Sequence, residues 1–376
     1  MSSEGRVKVI SIISGKGGTG KSLFTAVLGN CLAKEKCRVL LVDMDLHVRG
    51  LTILLSKYMG TSDTRVSVSQ YFDVLDRSLN MYMEEKVTDN FKSEDFAFFR
   101  FQECEFLPSV IDIVEPLRKD QSSVLVTHFL SELKKRVDNK YDIVLLDCRA
   151  GLDDFVVRSV KESDFSISIS EDDDVCLQAN TNLVNYLRYH ENINNIYTII
   201  NKGRRINTVQ DIENKINNIF DFSCIGAIPF DEKIMEDYGK DRFWLSVYDT
   251  LYFYGIVRFW KKFQEKTQLP YKIDEEKYNF GQNSSDNKVD EQIYEKREYR
   301  KQFFLRGNTF LRLYGLLFVL IGSFCPIFIR IMGVQVQNLD LISATLSTVG
   351  ILMFVFSTSS FRRSLLGDED NPRKLK

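Results

Sequence analysis

Nine residues near the N-terminus, Ser14-Gly15-Lys16-Gly17-Gly18-Thr19-Gly20-Lys21-Ser22, constrain the fold of this chain more than any other segment. They follow directly on an apolar run, residues 7–13, whose Val and Ile content reads as a strand. Glycines at 15, 17, 18 and 20 let the backbone turn its N–H groups toward a common centre, a nest for an anion. A helix beginning near Lys21 adds its positive N-terminal end. Lys21 supplies a point charge for the β- and γ-phosphates, and the Ser22 hydroxyl can ligate Mg²⁺. Strand, loop and helix in succession predict a nucleoside triphosphate as ligand, held by Gly15, Gly17, Gly18, Thr19, Gly20, Lys21 and Ser22. A ligand-free glycine turn gives no reason for Lys-Ser to follow the last glycine.

Up to about residue 270 the chain alternates strand-like and helix-like segments. Strands are predicted at 7–13, 38–43, 142–147, 165–169, 196–201 and 224–228. Helices are predicted at 22–34, 124–137, 175–189 and 211–219. The strands are short, rich in Val and Ile and mostly apolar, which suits a parallel sheet covered on both faces. Right-handed crossovers then give a doubly wound, mostly parallel α/β domain of the P-loop NTPase type over residues 1–270. Residues 60–105 break the rhythm and read as an insertion with some helix. Residues 246–263 read as an aromatic helix that closes the domain or offers a partner surface. Residues 271–308 read as a flexible, charged linker, marked by Gly-Gln-Asn-Ser-Ser-Asp-Asn-Lys at 281–288.

Composition removes several classes of function. Formal net charge is −2, so nothing global points to nucleic acid as a partner. Seven scattered cysteines without a Cys-x-x-Cys pair argue against a disulfide framework and a structural zinc site. The three histidines are too far apart in sequence to suggest a metal cluster.

Two further strand ends carry carboxylates where ligands bind in open α/β sheets. Asp43-Met44-Asp45 closes the second predicted strand, and Asp147 closes the run Asp142-Ile143-Val144-Leu145-Leu146. With these residues in view, Lys16-Gly17-Gly18-Thr19-Gly20-Lys21-Ser22 resembles the deviant Walker A motif of the MinD/ParA ATPases, and Lys16 matches that family's extra lysine. The resemblance implies ATP and Mg²⁺ as cofactors. It also implies a homodimer formed on ATP binding, in which Lys16 reaches the partner's nucleotide. It casts Lys16, Lys21 and Asp45 as catalytic, with Asp45 positioning the attacking water. Ser22, Asp43 and Asp147 become the metal set. Asn201 and Pro229, after the next two strands, are placed around the adenine, Ile225 to Asp231 being similar to a MinD segment. The chain departs from the family at Cys148-Arg149, where a small residue and proline are usual. Arg149 either acts on phosphate or a partner, or pairs with Asp153 or Asp154. Cys148 reads as a small switch-loop residue rather than a nucleophile. Glu171 to Asp174 reads as a helix start.

Residues 313–329 and 341–361 carry no charge, and each is near the ~20 residues that cross a bilayer core. Flanking Lys and Arg predict a two-helix transmembrane hairpin with both termini and the ATPase domain on the cytoplasmic side. The expectation is therefore a membrane-anchored, multi-pass switch ATPase of the cytoplasmic membrane that dimerises on ATP and recruits a protein partner. The alternative is a tyrosine-kinase-like ATPase of the polysaccharide-export type, for which Tyr248, Tyr252 and Tyr254 form the available tyrosine cluster. DNA partition and targeting of tail-anchored proteins are weaker readings: the near-neutral charge opposes the first, and the missing Cys-x-x-Cys the second.

Overall fold

The structure is a computed structural model and describes residues 6–59, 66–73, 75, 96–112, 123–203, 224–238, 240, 243–278, 317, 319–321 and 347–349. The chain divides into two compact units, 1–290 and 291–376. The predicted apolar runs of the first unit become β1 (Lys8–Ile13), β2 (Val39–Asp43), β5 (Ile143–Asp147), β6 (Phe165–Glu171), β7 (Ile196–Gly203) and β8 (Cys224–Pro229). Two more strands, β3 (Phe99–Phe101) and β4 (Cys104–Leu107), come from the end of the expected insertion and just beyond it. The eight form one sheet in the order β3-β4-β2-β5-β1-β6-β7-β8. Every pairing is parallel except β3 with β4. Residues 99–105 therefore extend the sheet at its edge, which the expected helical insertion did not include. Their runs, Phe-Arg-Phe and Cys-Glu-Phe-Leu, are too short for period alone to reveal.

Strand side chains alternate between two cores. Val9, Ile13, Leu40, Val42, Val144 and Leu146 enter one. Ile10, Ile12, Leu41, Ile143, Leu145 and Ile167 enter the other. The first core receives α3 (Ser123–Val137), α4 (Asp154–Lys161) and α5 (Asp174–Asn185). The second receives α1 (Lys21–Lys34), the short α2 (Gly50–Leu55), α6 (Glu232–Asp237) and α7 (Phe243–Ser246), and the long α8 (Leu251–Thr267). Helices on both faces of a mostly parallel sheet make the domain doubly wound. Helix α5 stops earlier than its period suggests and passes into a π turn over Tyr186–His190. The predicted helix at 211–219 lies outside the described residues.

The aromatic segment closes the domain. Phe253, Phe259, Trp260 and Phe263 are fully buried, and the Phe259 ring meets Phe24 of α1 at 5.7 Å. Tyr252 and Tyr254 are buried as well, which leaves the kinase alternative without its exposed tyrosine cluster. The first residues expected to be linker dock on the same face. Trp260 Nε1 donates to the Tyr271 carbonyl at 2.9 Å, Lys277 pairs with Glu35 at 2.9 Å, and Tyr278 packs edge-on against Phe253. Residues 279–308 lie outside the described set. Thr250 caps α8 by accepting from the Phe253 N–H at 3.2 Å. Thr250→Ala is expected to cost about 1 kcal/mol, seen as a lower urea midpoint with an unchanged slope.

The expectation of a multi-pass membrane protein is corrected. Among the described residues no helix is long and apolar enough to cross a membrane. Of the two expected spans, residues 317, 319–321 and 347–349 are described as helix, and the remainder lies outside the described residues. An uncharged run does not by itself give a continuous helix.

Candidate functional site

Because β1, β2 and β5 to β8 run parallel, their C-terminal ends and following loops share one edge of the sheet. Register brings the carboxylates together there: Asp147 lies opposite Asp43 on one side and Ile12, two residues before Ser14, on the other. The loop after β1 folds as its glycines foretell. Gly18 and Gly20 take φ of +83° and +91°, a left-handed region open to glycine and strained for other residues. The Gly20 carbonyl accepts from Phe24 N at 3.0 Å and starts α1.

Lys21 is buried, and its Nζ donates to Ser14 Oγ at 2.9 Å. Ser14 Oγ donates in turn to the Lys16 carbonyl at 2.7 Å. Ser14 was not singled out from the sequence, although it begins the motif. Lys16 itself is exposed at the loop tip. A Cβ on Gly15 would lie 2.3 Å from the Ala179 carbonyl, so glycine at this position lets the loop pack on α5. Thr19 of the loop is buried, and its hydroxyl has no hydrogen-bond partner among the described residues.

The carboxylates divide by their surroundings. Asp43 is fully buried, and its oxygens accept from Thr52 N at 2.8 Å, Thr52 Oγ1 at 2.6 Å and Asp45 N at 3.0 Å. Burial is the main force lifting its carboxyl, to about 6. With these lone pairs engaged, Asp43 contributes charge and support rather than a free ligand oxygen. Asp147 is the opposite case. Its Oδ1 is buried without a hydrogen-bond partner among the described residues, while the Ser22 hydroxyl bonds to the carboxylate. Burial first, and Asp43 second, push it up to about 8, opposed by Lys21 and Ser22. An orphaned carboxylate oxygen beside a hydroxyl, with oxygen donors throughout, fits a hard divalent cation such as Mg²⁺. Asp45 lines the cleft with one oxygen anchored by His47 N at 3.2 Å and Val48 N at 2.9 Å, which sets its direction.

These parts border a cleft of about 670 Å³. Gly17, Gly18, Gly20, Lys21 and Ser22 line it, as do Asp45, Arg149, Lys202 and Asn201. Pro229, Phe230 and Tyr252 continue the wall beyond the end of β8. The structure thus brings the distant Asn201 and Pro229 to the loop. It also commits Asn201. Its Nδ2 donates to the Thr19 carbonyl at 2.8 Å and its Oδ1 accepts from Lys202 N at 2.9 Å, so both ends of the amide are used within the protein. The alternatives at Arg149 resolve toward pairing: Nε lies 2.5 Å from Asp153 Oδ2, and the guanidinium sits over Phe155. Cys148 is buried with its thiol driven far up by that burial, which holds no thiolate for nucleophilic chemistry. Asp173 caps α5 through Cys176 N at 2.9 Å, in keeping with a helix start.

A glycine-rich loop between β1 and α1, a buried lysine and an orphaned carboxylate at the end of the neighbouring strand define a P-loop nucleotide hydrolase. The family model for the AAA domain matches residues 7–199, half of the chain. The septum site-determining protein MinD of Synechocystis is 24% identical over 232 residues, covering 61% of this chain and 78% of that protein. Among solved structures, the cell division ATPase MinD of Pyrococcus furiosus superposes with a TM-score of 0.50 at 23% identity, over 69% of this chain and 99% of that one. A plasmid partition protein of Borrelia burgdorferi gives 0.50 at 19%, with the same coverage. These two likenesses speak for the fold. The chain belongs to the AAA domain family and is a P-loop ATPase of MinD/ParA kind, with ATP and Mg²⁺ as its cofactors.

Proposed function

We propose that the protein is a switch that dimerises on ATP and engages a protein partner in that state. The observation that carries this reading is the contrast between two lysines of one loop. Lys21 is buried and satisfied within its own subunit, whereas Lys16 is exposed. Around the same edge, Val48, Leu152 and Val175 are 69%, 45% and 66% exposed. Val48 lines the cleft, and Leu152 and Val175 follow the C-terminal ends of β5 and β6. Large exposed apolar side chains at this edge suit a face that is covered in the working state. A second copy would cover them and bring its Lys16 to the nucleotide. The Borrelia burgdorferi protein was solved with AMPPNP bound, which is in keeping with a triphosphate in this cleft.

In this reading the loop N–H groups and Lys21 hold the phosphates, and Ser22 and Asp147 would hold the divalent cation, which would supply charge neutralisation to the phosphates. Asp45, its direction set by the Val48 N–H, orients the attacking water. Lys16 from the partner stabilises the charge that builds on the transferred phosphoryl group. Catalysis is thus mostly positioning, and completing the site in trans couples turnover to assembly.

The mass of the protein in solution tests this. With Mg²⁺ and ATP the wild type should double in mass. Lys16→Ala should still bind ATP but stay monomeric, and Asp45→Ala should accumulate as a dimer that turns over at least tenfold more slowly. Normal ATP-driven dimerisation of the Lys16 variant removes the proposal.

A further inference from the structure

The end of β7 grips the phosphate loop from outside. Asn201 Nδ2 donates to the Thr19 carbonyl at 2.8 Å, and Lys202 Nζ donates to the Gly18 carbonyl at 2.6 Å. Two successive residues of one strand end therefore hold two successive carbonyls of the loop. A trans peptide unit is planar, with its C=O and N–H on opposite sides. Holding the Gly18 carbonyl outward turns the Thr19 N–H the other way, and holding the Thr19 carbonyl does the same for the Gly20 N–H. The Ser14 hydroxyl on the Lys16 carbonyl repeats the device for Gly17.

The grip has the marks of a built feature. Lys202 sits at φ +55°, a left-handed conformation that strains a residue with a side chain. Its ammonium also pairs with Glu171 at 2.6 Å, and Glu171 lies opposite Asn201 in the register of β6 with β7. The lysine is thus anchored on a second strand. Gly20 and Asn201 fit each other closely: a Cβ at position 20 would lie 2.5 Å from Asn201 Nδ2.

We propose that Asn201 and Lys202 are positioning residues for the phosphate chain, clamping the Gly18 and Thr19 carbonyls so that the Thr19 and Gly20 N–H groups are aimed at the phosphates before ligand arrives. Anion nests bind well when their donors need no reorganisation, so the clamp raises affinity by being present in the empty protein. It acts on the phosphates alone and is indifferent to the base. This inference rests on the loop holding phosphates, the reading given above.

Inorganic pyrophosphate, which has no base, is the probe, with ADP beside it, titrated into the full chain in Mg²⁺. Asn201→Ala and Lys202→Met should each weaken pyrophosphate and ADP by the same factor, about tenfold, the effect of losing a charge-assisted or buried hydrogen bond. Lys202→Arg, which keeps a cationic donor, should recover most of the Lys202→Met loss. In nucleotide-free protein the Thr19 and Gly20 backbone amide resonances should shift in Lys202→Met while those of the sheet stay in place, which also shows that the variant is folded. If Asn201→Ala weakens ADP but not pyrophosphate, Asn201 reads the base and the clamp fails. If the empty-loop resonances are unmoved by Lys202→Met, Lys202 acts on the ligand directly and the clamp fails. Should wild-type protein bind ADP but not pyrophosphate, the phosphate-loop reading falls, and the clamp with it.

Discussion

Lys21→Ala is expected to take ATP turnover down by at least ~10³-fold and to abolish measurable ATP binding, the largest functional loss for a single substitution in this chain. Two effects act together. The ammonium that meets the β- and γ-phosphates disappears, and so does the cation compensating the buried Asp147 carboxylate. In the empty protein Lys21 Nζ is tied to Ser14 Oγ, so the same change also frees the hydroxyl that holds the Lys16 carbonyl. Phosphate release and calorimetric titration with ATP read the outcome. Lys21→Met, which keeps the aliphatic stem in its buried channel, separates loss of charge from loss of packing and should be as inactive. Turnover within tenfold of wild type in either variant would sink the assignment of this loop as the phosphate site.

The second large effect belongs to Asp147. Asp147→Asn should cut Mg²⁺-dependent turnover by ~10²-fold or more, because its buried oxygen, without a hydrogen-bond partner among the described residues, is placed beside Ser22 for the cation's shell. The same residue predicts a pH dependence. Asp147 is lifted to about 8 and Asp43 to about 6, burial being the leading cause for both, against 3.8 for a free aspartate. Between roughly pH 4 and 8 the folded protein thus carries protons that the unfolded chain has released. Stability is highest below this window and falls as pH rises through it. Chemical denaturation of the metal-free protein from pH 5 to 8 should show this decline, and Asp147→Asn should flatten it. Binding of Mg²⁺ and nucleotide should release protons near neutral pH, visible as a dependence of binding heat on the buffer's ionisation enthalpy. A pH-independent denaturation midpoint in the wild type would contradict the raised carboxyls.

The phosphate loop was legible because its requirements are local. Glycines at fixed offsets, a lysine, a hydroxyl and a preceding apolar run all lie within about sixteen residues, and each acts through its own backbone or its nearest neighbours. The six longer parallel strands were legible for a related reason: burial on both faces leaves short, mostly apolar runs rich in Val and Ile. The hairpin of β3 and β4 was not. Strands of three and four residues, with Arg100 in one and Glu105 in the other, owe their existence to the pairing of β4 with β2 and of β3 with β4, which no local pattern records. The C-terminal apolar stretches carried an expectation that rested on hydropathy alone, which measures transfer to an apolar medium, and among the described residues no helix is long and apolar enough to cross a membrane.

Individual roles show the same division. Asn201 carried a family expectation of reading adenine, but its amide is committed to the loop. Lys202, passed over in the sequence as one lysine among many, reaches Gly18 across a sequence separation of 184 residues. Gly15 reads as a phosphate glycine, and only the fold shows α5 packed against it.

By itself, the sequence determined that this chain builds a nucleotide-binding loop at the head of a doubly wound sheet, with Lys21, Ser22 and the strand-end aspartates as its chemistry. Those features need only covalent neighbours and the period of the chain. The tertiary structure alone decided which aspartate keeps an oxygen free, which lysine is buried and which exposed, and what holds the loop in its binding shape. Each of these depends on partners brought together from separate strands: Thr52 on Asp43, Asp43 beside Asp147, Asn201 and Lys202 on the loop carbonyls. Burial and hydrogen bonding between residues far apart in the chain set the charge and direction of each group, and only the assembled sheet contains them.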